Sequence, residues 1–165
     1  MTGPRKRIAI NMGGGYVPGL SSVVTGAVRA ASRLGWEVVG IRDGYDGLFF
    51  PEHYPDGGLV TLTPSLVESL GAAGGSILST GARTDPFRAR RVTPDNQVEE
   101  IDRSDELLGL IKKEGIDAVI SLVGASAVTG MHALTVALKL HRKGLRTVCI
   151  PKSVENDVTA TSLAF

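Results

Sequence analysis

The feature that most constrains this chain is an alternation repeated along its length. Short runs of β-branched residues give way to glycine-rich or small-residue turns, and each turn opens onto a helical stripe. Arg7 to Asn11 is one such run, ending in Met12-Gly13-Gly14-Gly15. After Pro18-Gly19, apolar residues at Leu20, Val23, Val24, Ala27, Val28, Ala31 and Leu34 mark one helix face, with Gly35 placed as its C-cap. Glu37–Ile41, residues 59–62, Ala118–Val123 and Arg146–Ile150 read as further strands. Helices are expected to open at Thr63 (the N-cap, with Pro64 at N1), at Ser104, and again before Leu134. Residues 83–98 read as polar and irregular. Buried strands separated by helices imply βαβ units, hence a mostly parallel sheet in an α/β fold with helix layers on both faces.

Composition sets the outer limits. Among 165 residues, 42% are hydrophobic and 21% charged, enough for a core that folds without staples. The 18 basic and 17 acidic side chains leave a net charge of +1, which argues against nucleic-acid binding and against a polybasic membrane anchor. No apolar stretch is long enough to span a bilayer, and the N-terminal run is too short for a signal sequence. Cys149 is the single cysteine; its apolar neighbours Val148 and Ile150 predict a buried thiol in a reducing, cytoplasmic setting. The chain stops at Phe165 shortly after a loop, so it reads as the front half of a larger fold, a single incomplete domain over 1–165.

In an open parallel sheet, ligands lie beyond the carboxyl ends of the strands. Gly13, Gly14 and Gly15 stand after the first strand, where main-chain N–H groups and a helix N-terminus favour an anion; a tight packing turn would look alike. No Walker lysine follows, and Gly13-Gly14-Gly15 with Pro18 is only a partial dinucleotide fingerprint. Asp43 and Asp46 after the second strand read best as turn formers. The Gly74–Arg83 loop ends in a cation that either grips phosphate or solvates the loop. Gly124 to Gly130 is another small-residue turn. Pro151-Lys152-Ser153-Val154-Glu155-Asn156-Asp157 offers two carboxylates behind a lysine and a serine, either a base beside a phosphate cation or an acidic surface loop. All these turns fall on one sheet edge.

These residues resemble the phosphofructokinases. Ile10 to Leu20 is similar to the family's opening, whose first turn typically reads Gly-Gly-Asp-Ala-Pro-Gly. Gly35 to Leu48 resembles its second strand and following turn nearly unaltered. Gly74 to Phe87 is similar to its Gly-Gly-(Ser/Thr)-Ile-Leu-Gly-(Thr/Ser)-Ser-Arg loop, with one extra residue. Pro151 to Asp157 resembles Pro-Lys-Thr-Ile-Asp-Asn-Asp, and a lysine at 152 is typical of the pyrophosphate-using branch.

The resemblance implies a Rossmann-like three-layer domain of the phosphofructokinase N-terminal type, incomplete here. It also implies roles. Gly13, Gly14, Gly15, Arg83, Lys152, Gly124 and Ser126 would face the phosphoryl donor, ATP or pyrophosphate with Mg²⁺; Glu155 would stand as base, assisted by Asp157 and Ser153. Three departures point to lost chemistry. The first-turn aspartate is Gly15, the metal-associated aspartate is Ser126 between Ala125 and Ala127, and the base is lengthened to Glu155. A shift of about 1 Å in a reacting group can cost about a hundredfold, and this chemistry rests on positioning and charge stabilisation.

The expectation is therefore a catalytically impaired, phosphofructokinase-like structural or regulatory subunit, needing no cofactor if inactive and still able to hold phosphate or nucleotide. It would assemble with itself or with a complementary, longer relative. One alternative is half of a split active enzyme acting on fructose 6-phosphate. Another is a dinucleotide-binding module, weakened by Arg42 where an acid should end the second strand.

Overall fold

The computed structural model describes residues 5–70, 76–81, 85–124, 130–153, 158 and 162, with main chain alone over 130–133. Seven strands and five helices follow in order: β1 (Arg7–Gly13), α1 (Leu20–Arg33), β2 (Glu37–Ile41), α2 (Asp46–Phe49), β3 (Leu59–Thr61), α3 (Pro64–Glu68), β4 (Ala89–Val92), β5 (Val98–Ile101), α4 (Ser104–Lys113), β6 (Ala118–Gly124), α5 (Gly130–Arg142) and β7 (Thr147–Lys152). A 3₁₀ turn at Pro51–His53 sits between α2 and β3.

The main sheet has five strands in the order β3-β2-β1-β6-β7. β1 pairs parallel with β2 and with β6, and β7 extends β6 in parallel; β3 alone runs antiparallel, at one edge. The mostly parallel α/β reading is borne out. Side chains of β1 alternate between two cores. Ile8, Ile10 and Met12 pack with Leu20, Val24 and Val28 of α1 on one face; Ala9 joins Leu107 and Ile111 of α4 and Val136 and Leu140 of α5 on the other. A strand buried on both faces is what a near-continuous apolar run encodes.

Local signals placed the ends well. Thr63 Oγ1 accepts from Leu66 N at 3.2 Å, so the N-cap of α3 is the one expected. Gly35 follows the C-cap of α1 with φ +71°. Three expectations need correction. Residues 83–98 are not wholly irregular: Ala89–Val92 and Val98–Ile101 form an antiparallel hairpin of their own. Leu34 does not join the buried stripe but stands 63% exposed at the helix C-cap. Cys149 is half-buried, because β7 ends the described sheet and leaves one side of its thiol uncovered. Among the described residues no helix is long and apolar enough to cross a membrane.

Candidate anion-binding site at the strand ends

Strand order places a switch point between β1 and β6, since the chain leaves β1 toward β2 on one side and returns to β6 on the other. The crevice between two such strands is where an open α/β sheet holds its ligand. The register fixes what lines it. Gly13 pairs with Val123, and Gly124 pairs with Lys152, so the turn after β1, the end of β6 and the end of β7 lie side by side.

Gly14 turns the chain at φ +83°, a conformation that disfavours side chains. A Cβ built there would lie 3.4 Å from Gly124 Cα and 3.7 Å from Lys152 Nζ. Gly14 thus packs against Gly124 and the tip of Lys152, and its left-handed main chain is what favours glycine there. Lys152 starts on β7, passes the end of β6 and donates its ammonium to the carbonyl of Gly15. It is 1% exposed, and burial pushes its pKa below the usual 10.5. Among the described residues it has no carboxylate partner. Ser153, the next residue, is also buried.

A second wall comes from the 76–81 turn. Ser76 Oγ contacts Met12 Sδ at 2.9 Å, tying the turn to the residue just before Gly13. Leu78 is fully buried, and its side chain lies so close over Gly40 of β2 that a Cβ there would overlap it.

The structure therefore brings Gly13, Gly14, Gly15, Gly124, Lys152 and Ser153 to one edge. Arg83, Ser126, Glu155 and Asp157 lie outside the described residues, as does Asn156. Asp43 serves a turn, as expected: at φ +47° it accepts from Tyr54 Oη at 3.0 Å. Sequence reasoning missed Asp56, whose carboxylate meets Arg42; the guanidinium holds Asp56 below the ordinary carboxylate range. Nothing local signals that pairing, because the partners are brought together only by the fold of residues 42–58, through α2 and the 3₁₀ turn.

The donor set is one-sided. The described part of the crevice offers main-chain groups, one hydroxyl and a buried ammonium, with no carboxylate. Such a set fits an anion. Among the described residues no cluster of His, Cys, Asp and Glu could hold a metal ion such as Mg²⁺, which takes oxygen ligands.

By fold and by site, this is an open, mostly parallel α/β protein with a glycine-walled crevice and a buried lysine at its switch point. The phosphofructokinase family model matches residues 7–165, and the chain belongs to that family. It is 33% identical over 165 residues to an ATP-dependent 6-phosphofructokinase of Chloroflexus aggregans, covering all of this chain and 42% of the relative. To a pyrophosphate–fructose 6-phosphate 1-phosphotransferase of Amycolatopsis methanolica it is 32% identical over 160 residues, 96% of this chain and 40% of the relative. The chain thus spans about two fifths of the length of these relatives. The crystal structure of Pichia pastoris phosphofructokinase in the T-state shares the fold, with a TM-score of 0.75 at 22% identity over 99% of this chain and 19% of the other.

Proposed function

We propose that this chain is the phosphate-holding half of a phosphofructokinase-like assembly, impaired in phosphoryl transfer by itself and acting as a structural or regulatory subunit. The observation that carries the phosphate reading is Lys152. A buried ammonium whose described partner is a single carbonyl is poorly compensated, and a phosphate settling over the turn after β1 supplies the missing charge. Pyrophosphate and ATP both offer that group. Arg83, two residues beyond the 76–81 turn in sequence, is the candidate for a second cation.

The sequence supports impairment. Gly15 and Ser126 remove carboxylates that the family uses, and Glu155 carries its carboxylate one methylene further than an aspartate would. Mg²⁺ would serve the chain only if a partner, or residues beyond those described, supplied its ligands. The dinucleotide alternative has less support, since Arg42 at the end of β2 is committed to Asp56 and no acid stands free there to take a ribose.

Assembly is supported by the edge at β7. Residues 147–150 carry no charge, Val148 is 61% exposed, and Leu134, Leu138, Thr147 and Cys149 line an open cleft of about 200 Å³ beside it. Natural edge strands are usually blunted by charge or covered. A second copy, a complementary chain or further sequence of a longer protein would cover this one.

The test combines binding with turnover. Calorimetry of the purified chain with pyrophosphate and with ATP is expected to show binding, and fructose 1,6-bisphosphate formation with Mg²⁺ and either donor is expected to be absent. Ser126→Asp with Glu155→Asp is expected to leave the isolated chain inactive. Turnover by the wild-type chain that vanishes on Glu155→Ala would favour the reading as half of an active split enzyme, the alternative that the retained Glu155 and Asp157 support.

A further inference from the structure

We infer that the groove between the C-terminal ends of α4 and α5 docks an acidic peptide segment of a partner protein, with an aliphatic side chain of that segment on its floor. The groove lies at the opposite end of the main sheet from the crevice, just before β6 and β7 begin. The inference is therefore independent of the phosphate reading.

The two helices end in the same way. After α4, Gly115 stands at φ +66°; its N–H donates to Lys112 O at 3.0 Å, and Ile116 N donates to Ile111 O at 3.0 Å. After α5, Gly144 stands at φ +99°; its N–H donates to His141 O at 2.9 Å, and Leu145 N donates to Leu140 O at 3.1 Å. This paired bonding turns the chain sharply and folds an apolar residue back against the last helical turn. Ile116 and Leu145 are the residues folded back, and both are buried. β6 and β7 are neighbours in the sheet, which holds the two closures side by side. Between them lies an open groove of about 410 Å³, with Leu108, Ile116 and Leu145 as its apolar floor and Lys112, Lys143 and Arg146 on its border.

The charge around the groove is uneven. The chain carries a net +1, yet Lys112, Lys113, Arg142, Lys143 and Arg146 crowd these two helix ends. The neighbouring acids are engaged: Glu114 faces Arg7 at 3.8 Å, and Asp117, also on the border, accepts from Arg7 N at 2.8 Å. Lys143 is engaged too, donating to Ser104 Oγ and Asp105 Oδ1 at 2.7 Å each. Lys112 and Arg146 are exposed and, among the described residues, form no ion pair. A cation in the last turn complements the helix dipole, which accounts for Lys112. It does not account for Arg146, which stands two residues past the cap glycine and outside both helices.

Apolar surface rimmed by cations fits a segment that carries carboxylates on either side of an aliphatic side chain. The carboxylates meet Lys112 and the planar fork of Arg146 through charge-assisted hydrogen bonds. The aliphatic side chain covers the floor and leaves water. A nucleic-acid backbone would satisfy the cations but has nothing to lay on Leu108, Ile116 and Leu145, and the peptide is favoured for that reason.

The probe is a short capped peptide of glutamate and leucine, titrated into the full isotope-labelled chain and followed by amide chemical shifts. Shifts are expected over 111–117 and 143–146, not at Gly13–Gly15 or along α1, and binding is expected to weaken with added salt. Lys112→Glu with Arg146→Glu is expected to lower the affinity at least about tenfold, because like charges then face each other. Arg29→Glu, a reversal on α1 across the sheet, is expected to leave it unchanged. The same peptide with serine for leucine should bind about tenfold more weakly, the scale of one buried aliphatic side chain. No shift at 111–117 and 143–146 overturns the inference, and so does an affinity unaltered by the double reversal. Equal binding of the serine peptide reduces the groove to a diffuse cation patch and also overturns it. Oligothymidylate that binds these residues more tightly than the peptide would replace the protein partner by a nucleic acid. Concentration-dependent shifts there without peptide would assign the groove to a second copy; either result overturns the partner reading. If the double reversal does not fold, Lys112→Gln with Arg146→Gln carries the comparison, and wild-type affinity in that variant overturns the inference.

Discussion

The ammonium of Lys152, at the end of β7, hydrogen-bonds the carbonyl of Gly15 in the turn after β1, and so bridges the mouth of β6 that lies between them. Gly14, at φ +83°, packs beside Gly124 and the lysine tip. The main-chain conformation at 14, the end of β6 at 124 and the charge at 152 therefore meet at one place, contributed by three separate stretches of sequence.

Replacing Lys152 by methionine separates the cost of this arrangement from its use. Methionine fills a similar volume without a charge to desolvate, and the Gly15 carbonyl, on an exposed residue, turns to water. The expected outcome at pH 7 is a melting temperature equal to or above that of the wild type, with pyrophosphate affinity reduced at least about tenfold by loss of a buried charge contact. Thermal melts and calorimetry check the two halves. A clear drop in melting temperature would show that the lysine is a net stabiliser and undo the argument.

The pH dependence follows from the direction of the Lys152 shift. Its folded pKa lies below the ordinary 10.5, so in the window between the two the unfolded chain binds more protons than the folded chain. Stability contributed by this group therefore rises with pH through that window, and the penalty for burying the charge is greatest below it. Bound pyrophosphate reverses the shift by supplying a counter-charge, so binding in the same window takes up protons. Calorimetry in buffers of different ionisation enthalpy measures the uptake, which should vanish in Lys152→Met.

Gly81→Ala tests the packing of the second wall. The alanine Cβ would collide with a main-chain carbonyl, at Asp43, and a main-chain group cannot yield as a side-chain tip would. Overpacking of this kind typically costs about 1–3 kcal/mol. The variant should lower the unfolding midpoint in urea while leaving the m-value unchanged. A midpoint equal to wild type would mean that the turn has another seat available.

Much of this was legible because it is local. The β1–α1–β2 alternation and the Thr63 cap are written in short-range pattern, and so are the glycines after β1. The hairpin at 89–101 was not. Its strands, Ala-Arg-Arg-Val and Val-Glu-Glu-Ile, carry charges where alternation should show, and they become a pair only when Arg88 meets Glu100 and Arg91 meets Glu99 across the ladder. The burial of Lys152 was equally hidden, since a lysine closing a strand reads as solvent-facing. The half-exposure of Cys149 depends on which strand lies last in the sheet, a property of strand order that neighbours in sequence cannot report. Arg42 illustrates the same limit, for Asp56 is brought to it only by the fold.

The β7 edge gives the last prediction. Val148 is exposed on a strand whose residues 147–150 bear no charge, and Leu134 and Leu138 extend the apolar surface along α5. A glutamate at 148 places a charge on a strand that any docking chain must pair with or lie against, the device by which natural sheets discourage edge contacts. Because the valine is largely in solvent, the substitution should leave the fold of the monomer nearly unchanged. The wild-type chain is therefore expected to elute as an assembly, measured by light scattering on a sizing column, and Val148→Glu to shift it toward the monomer with the same far-UV spectrum. An assembly that survives Val148→Glu intact would place the contact elsewhere on the molecule, and a wild-type chain that is monomeric at every concentration tested would show that this edge is not covered by a second copy.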